Sequence, residues 1–163
     1  MHKNIDSIKA AGFIGFKSIF ELWKDHSAIP NEKGVYLIIN PKCKLKKFLD
    51  KGVGGCFKQK DPNVSVDVLS NNWVENSFVV YIGQAGGNGS AATLRKRLKQ
   101  YLDFGKGKPV GHYGGRLIWQ IKHHPELLIA WKVLKNEDPK IIERKLINDF
   151  VNDYGKMPFA NLI

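Results

Sequence analysis

A glutamate stands where an apolar residue is expected in the last helical segment of the chain, DPKIIERKLINDFVNDYG at 138–155. Successive residues of an α-helix turn by ~100°, which puts Ile142, Leu146, Ile147, Phe150, Val151 and Tyr154 on one broad apolar stripe. Lys145, Asn148, Asp149 and Asn152 fall opposite, and Glu143 projects near the middle of the stripe. A carboxylate withdrawn from water keeps its charge only beside a cation, a metal ion or hydrogen-bond donors. The plainer alternative is a side chain that snorkels out of a solvated first turn. One candidate partner is Arg97, on the shoulder of the stripe that Leu94, Leu98, Tyr101 and Leu102 form in the basic segment AATLRKRLKQYLDF. From a shoulder the stem packs while the guanidinium reaches a neighbouring groove, so a phosphate contact and a salt bridge to Glu143 are both open. Lys96 and Gln100 of the same segment point to solvent.

Other patterns carry less chemistry. GNGSAA at 87–92 fits the G-x-G-x-x-A form of a dinucleotide site, but no acidic residue ends a second strand about twenty positions on, and no Lys-Ser or Lys-Thr follows the glycines. No nucleotide cofactor is therefore expected. His123 and His124 precede Pro125 and read as turn residues, since adjacent histidines lack the i, i+4 spacing of a paired metal site. His112 and Arg116, in GHYGGRLIW, are open to a contact with a nucleic-acid backbone or base, although a loop histidine beside paired glycines also reads simply as a turn. Trp119 and Trp131 lie in apolar runs and read as core. Cys43 and Cys56 are the only cysteines, too few for a zinc site, and read as free thiols.

The elements that must position these residues follow from pattern and punctuation. Asp138-Pro139 supplies an N-cap and first helical residue, and Gly155 a stop. GVYLIIN (34–40) and FVVYIG (78–83) are compact strands rich in β-branched and aromatic residues, and RLIWQI and LLIAWKVL are two more. Residues 6–24 are expected to be helical despite two glycines, as part of an N-terminal helical extension over 1–33. The stretch 41–77, with its glycine pairs and basic run, reads as an insertion decorating the core. The expected class is α+β in a single domain over 1–163, with a small antiparallel sheet flanked by helices.

Composition narrows the partner. The chain has 163 residues, enough for one domain, with 43% hydrophobic and 25% charged residues. No apolar run approaches the ~18 residues of a membrane span, and the first residues lack a signal-peptide layout, so a cytoplasmic protein is expected. The net charge of +11 and a pI near 9.7 favour a polyanionic partner, nucleic acid before others.

GVY at 34–36, YIG at 81–83, Arg97 in TLRKRLKQY, Glu143 in a later helix and Asn161 near the end stand in an order that resembles the GIY-YIG nuclease family. That family includes homing endonucleases, some restriction enzymes and the incision subunit of bacterial nucleotide excision repair. The resemblance covers about residues 34–163, with 41–77 outside it. It implies that Tyr36, Tyr81, Arg97, Tyr101 and Glu143 are catalytic, that Glu143 holds Mg²⁺ (with Mn²⁺ as a substitute), and that the substrate is most simply DNA. Gln84, Lys96, Lys99, His112, Arg116 and Asn161 are then expected on the nucleic-acid surface. In such a site Arg97 would hold the scissile phosphate and a tyrosine would act as general base, Tyr36 before Tyr81, with Tyr81 and Tyr101 positioning water and phosphate. The chain departs from the family pattern in the long 41–77 stretch, in Gln84 where many members carry lysine, and in a longer loop before the arginine. A scaffold that grips nucleic acid without cutting, a nuclease preferring RNA or branched DNA, and a nucleotide-binding domain are the alternatives.

Overall fold

The computed structural model describes residues 3–42 and 46–162. Cys43 lies outside them, while Cys56 is an exposed free thiol. In chain order the elements are α1 (Ile5–Ala10), β1 (Ile14–Ser18), α2 (Ile19–Lys24), β2 (Gly34–Ile39), α3 (Val66–Asn72), β3 (Val79–Ala85), α4 (Leu94–Gly105), β4 (Leu128–Val133) and α5 (Pro139–Tyr154). The four strands make one antiparallel sheet in the order β1-β4-β2-β3. The domain is thus α+β, as expected. Among the described residues no helix is long and apolar enough to cross a membrane.

The N-terminal segment departs from the single helix expected over 6–24. Gly12 and Gly15 take φ of +91° and +96°, and Phe16 sits at +52°, so the chain leaves α1 and turns into an extended strand. β1 then pairs with β4 across more than a hundred residues of sequence, with a bulge between Gly15 and Lys17. Gly15 is required there, because a Cβ would stand 2.6 Å from the Trp131 ring that crosses it. Ser18 restarts the helix in α2 through a capping box with Glu21. The N-terminal extension is therefore helical in two short pieces, with an edge strand of the sheet between them.

RLIWQI also departs from expectation. Arg116–Gln120 form a 3₁₀ turn with Leu117, Ile118, Trp119 and Gln120 buried, entered through Gly115 at φ +72°. A short, continuous apolar run is compatible with a buried strand or a buried helical turn, and its periodicity does not choose between them. The 41–77 stretch does more than decorate. Gln120 donates from its amide to the carbonyls of Leu49 (3.2 Å) and Val64 (2.9 Å) and accepts from the Val64 amide (2.9 Å). Leu69 and Trp73 of this stretch enter the core. α4, by contrast, starts where its Thr93 cap dictates, and α5 matches the limits set by Asp138 and Gly155.

The sheet separates two cores. On one face α5 brings Leu146 and Phe150 against Val35, Leu37, Ile39 and Ile82. On the other, Tyr36, Ile38, Val80 and Tyr81 meet Leu94, Leu98 and Tyr101 of α4 together with Trp119. The bulge opposite Ile38 and Ile39 leaves Val80 without a register partner, so Val80 and Tyr81 fall on the same face. Bulges re-aim side chains in this way near functional sites.

Candidate functional site

β3 is one edge of the sheet, and the C-terminal segment runs along it. The Ala160 amide donates to the Val80 carbonyl at 2.9 Å. The Asn161 side chain accepts from the Ile82 amide at 2.9 Å and donates to the Ile82 carbonyl at 2.8 Å, as a paired strand would. Beside this edge lies a groove of about 390 Å³, lined among others by Tyr81, Tyr113, Gly115, Arg116, Glu143 and Asn161.

The tyrosines reach the edge from the face opposite α5, so Glu143 does not meet them across a helix–sheet interface, as its place in the stripe suggests. The groups converge around the rim of β3. Tyr36 is paired with Gly83, and its ring crosses that glycine so closely that a Cβ at 83 would collide with the ring and hydroxyl. The glycine of YIG thereby gives Tyr36 a path across β3. The Tyr36 and Tyr81 rings stand 6.1 Å apart. Burial raises the pKa of both phenols, that of Tyr36 well above its ordinary value, and Arg97 opposes the rise in each. Interaction between the two hydroxyls opposes ionisation of Tyr36 and favours that of Tyr81. Tyr81 is also the one that borders the groove.

Glu143 is half-buried, and burial raises its pKa against the pull of Arg97 and, more weakly, Lys140. Among the described residues no salt bridge joins it to Arg97. Arg97 acts on the carboxylate from beyond ion-pair distance, which leaves it free to accept another ligand. Among the described residues no group of three His, Cys, Asp or Glu side chains could surround a metal ion. A cation here would have Glu143 as its one carboxylate ligand and water for the rest, an arrangement that suits Mg²⁺, which gives up its waters reluctantly. Arg116 adds positive charge to the groove lining, and among the described residues its buried Nε has no hydrogen-bond partner.

Several expected site residues sit elsewhere. The Tyr101 hydroxyl is fully buried and donates to the Gly115 carbonyl at 2.9 Å, so it holds the groove's lining in place and does not reach a substrate. His112 is 1% exposed and packs at 4.7 Å from the Tyr101 ring, behind the groove and away from any backbone it was expected to touch. Burial and the Arg97 charge push its pKa down to about 3, opposed by the Gly114 backbone. Lys99 pairs with Asp103 at 2.8 Å, beside α2 and away from the groove. Lys96 is exposed on α4. Gln84 accepts from the Gly87 amide at 2.9 Å, and both amide ends of Asn161 are occupied by Ile82, so these two shape the backbone. Of the expected nucleic-acid contacts, Arg116 and the rim of Asn161 border the groove.

His123 and His124 are more than turn residues, since both are buried, with His124 edge-on to Trp23 and Trp119. The glycine loop docks on the start of α5, where the Asn88 amide donates to the Asp138 carboxylate at 2.9 Å. β3 has an antiparallel neighbour, so the G-x-G-x-x-A match stands outside the parallel βαβ setting that gives the pattern its meaning. Sequence reasoning missed Tyr113 as a wall of the groove. Its signal was an aromatic flanked by glycines three residues before Arg116, where a turn can present a ring beside a cation. No protein-family model, curated protein or solved structure matches the chain.

Proposed function

We propose that this protein is a metal-dependent endonuclease of GIY-YIG type that hydrolyses phosphodiester bonds, with DNA as substrate. The observation that carries this reading is a groove at one edge of the sheet lined by Tyr81, Arg116 and the half-buried Glu143, with the Tyr36 ring beside Tyr81 and the Arg97 charge acting on both phenols and on the carboxylate. Such a set meets the needs of phosphodiester hydrolysis: charge shielding, a positioned phosphate and a proton acceptor.

Glu143 would hold Mg²⁺, or Mn²⁺ in its place, and the ion would supply charge stabilisation to the phosphate and its leaving oxygen. Arg97 binds the scissile phosphate, its guanidinium being the cation that both tyrosines already sense. Both phenols are protonated at rest, so proton transfer requires the extra positive charge of the bound ion, which must also offset the negative charge that the phosphate brings. Tyr81, at the groove, is the receiving end, with Tyr36 interacting behind it. This shifts the preference for the general base from Tyr36 to Tyr81. Tyr101 acts as a positioning residue through Gly115.

Supercoiled plasmid in Mg²⁺ tests the reading. Glu143→Ala should lower nicking by about 10³-fold, the scale of losing transition-state charge stabilisation, while binding in EDTA stays within about threefold of wild type, a small share of a tenfold step. Nicking unchanged in a clean preparation of the variant would falsify the proposal. A second reading, a binding module that has lost catalysis, is favoured by Gln84, whose amide oxygen is tied to Gly87 where many family members offer a lysine. It forecasts a salt-sensitive shift of DNA that stays intact with Mg²⁺ or Mn²⁺. Linear, single-stranded, branched and RNA substrates alongside plasmid separate the remaining preferences.

A further inference from the structure

The wall of the groove formed by Tyr113 and Arg116 continues onto the 41–77 stretch. The Tyr113 hydroxyl donates to the Asp61 carbonyl at 3.1 Å, and the Arg116 guanidinium lies 4.0 Å from the Tyr113 ring centre. Lys60 approaches the same ring at 5.8 Å. Lys58 stands 5.5 Å from the ring centre of Phe57, which in turn lies beside Gly111 at the start of the groove wall. Rings and cations therefore alternate along one strip, from Arg116 and Tyr113 at the groove to Lys60, Phe57 and Lys58 beyond it.

Two features separate this strip from an ordinary basic surface. Phe57 bridges to Lys60 through a tight turn whose central residues, Lys58 and Gln59, take φ of +51° and +60°. Such turns are ordinarily built with Asn-Gly, and a non-glycine residue in this region costs roughly 1 kcal/mol. The turn holds two lysines and a half-exposed aromatic ring on the groove side. Second, Lys58, Lys60 and Arg116 have no acidic partner within salt-bridge distance among the described residues. The carboxylate of Asp61, next to Lys60 in sequence, accepts from the Asn63 amide and side chain at 2.9 and 2.7 Å.

We infer that this strip binds a single-stranded segment of DNA flanking the scissile phosphate. Flat aromatic faces interleaved with cations match unpaired bases and their phosphates, whereas a duplex offers its bases only through its grooves. The inference rests on the nuclease reading for its substrate, and names the structural class of that substrate as DNA with an unpaired arm.

The test measures binding by fluorescence anisotropy, with wild-type protein in EDTA so that nothing is cut. Two probes share one duplex: one is blunt, and the other carries a single-stranded tail of about ten nucleotides, within the span of one small binding surface. Wild type should bind the tailed probe about tenfold more tightly at roughly 0.15 M salt. Lys58→Glu with Lys60→Glu, both exposed, should reduce that ratio to within about twofold, the opposing charge now repelling the tail. Phe57→Leu should lower the ratio with a smaller change in salt dependence, because it removes a ring and no charge. Equal binding of the two probes by wild type overturns the inference, as does a tail preference that survives the lysine reversal in a folded variant. Since no cleavage is read, a protein that prefers the tail yet never cuts sinks the nuclease reading alone.

Discussion

The two faces of the sheet are built from different chemistry. Beneath α5, Val35, Leu37, Ile39, Ile82, Ala130 and Leu146 form a mainly aliphatic layer closed by the phenyl rings of Phe13 and Phe150. Beneath α4 the layer holds Tyr36, Tyr81, Tyr101, Trp119 and Trp131, with His112 packed on Tyr101. Buried polar atoms without a partner include both His112 ring nitrogens, the indole nitrogens of Trp119 and Trp131, and Arg116 Nε, all on or beside the aromatic side. An aliphatic layer has nothing to leave unsatisfied, so it stabilises at little risk. The aromatic layer bears desolvation costs, and the proposed catalytic groups stand at its rim. Most of the proposed chemistry thus sits on the aromatic side, with Glu143 reaching the same edge from α5, a bias common where a site keeps groups that a purely structural core would discard.

The sharpest way to break this comparison is to damage the aliphatic face alone. Phe150 is fully buried, and its ring packs tilted against that of Tyr154 with centres 4.5 Å apart. Phe150→Ala should destabilise the fold by about 3–5 kcal/mol, the usual cost of deleting a buried phenyl ring. Nicking per folded molecule should stay close to wild type. Urea unfolding at neutral pH and an activity assay corrected for the folded fraction measure the two quantities. If activity fell by orders of magnitude with the fold intact, the faces would not be separable.

A smaller effect probes the aromatic face. The folded protein holds His112 neutral down to a pKa of about 3, whereas the unfolded chain takes up that proton near 6.5. A depressed histidine pKa means stability that is complete above 6.5 and lost as pH falls toward 3, because the unfolded state binds the proton first. His112→Phe removes that loss together with two unpartnered nitrogens. By pH 4 the variant should lie on the order of 3 kcal/mol less below its own neutral-pH stability than wild type does. His123 and His124 are also depressed by burial, so the acid slope should shrink without vanishing. Urea midpoints from pH 7 to pH 4 give the slopes, and parallel curves for the two proteins would show that His112 does not titrate as its surroundings dictate.

What the sequence disclosed, and what it hid, follows the same division of local from long-range forces. α5 was legible from Asp138, Pro139 and Gly155, since caps act within a turn or two. β2, β3 and β4 were legible from compact β-branched runs. β1 was not, because Ile14–Ser18 is extended only by virtue of pairing with β4, more than a hundred residues away, through glycines whose positive φ no periodicity reveals. The 3₁₀ turn at Arg116–Gln120 was hidden for the related reason that an apolar run shows burial without showing its geometry. Within the site, residue types were legible and directions were not. Tyr101 and His112 carry the right chemistry, yet one hydroxyl is committed to Gly115 and one imidazole is sealed behind it. Tyr113 became visible only when its ring was placed beside Arg116.

The smallest effect concerns Glu143, whose misplacement in an apolar stripe first marked the site. Burial raises its pKa, and Arg97 and Lys140 offset the rise only in part. For a carboxyl group with a raised folded pKa, the penalty is absent below the ordinary carboxylate range, where both states are protonated. It is complete above the folded pKa, where both are ionised. Glu143→Gln should therefore melt higher than wild type at pH 8, by about 1–2 °C for a domain of this size, and the gap should close as pH falls through the folded pKa. Added Mg²⁺ should reverse the order, because an ion bound only by the folded carboxylate raises the wild-type melting temperature and leaves the glutamine variant unchanged. A wild type that already melts higher than the variant at pH 8 without metal would mean that the charge is satisfied by a protein partner, and the groove would lose its reason for holding a cation. The reversal in Mg²⁺ would tie the buried charge to the proposed ion without reference to cleavage.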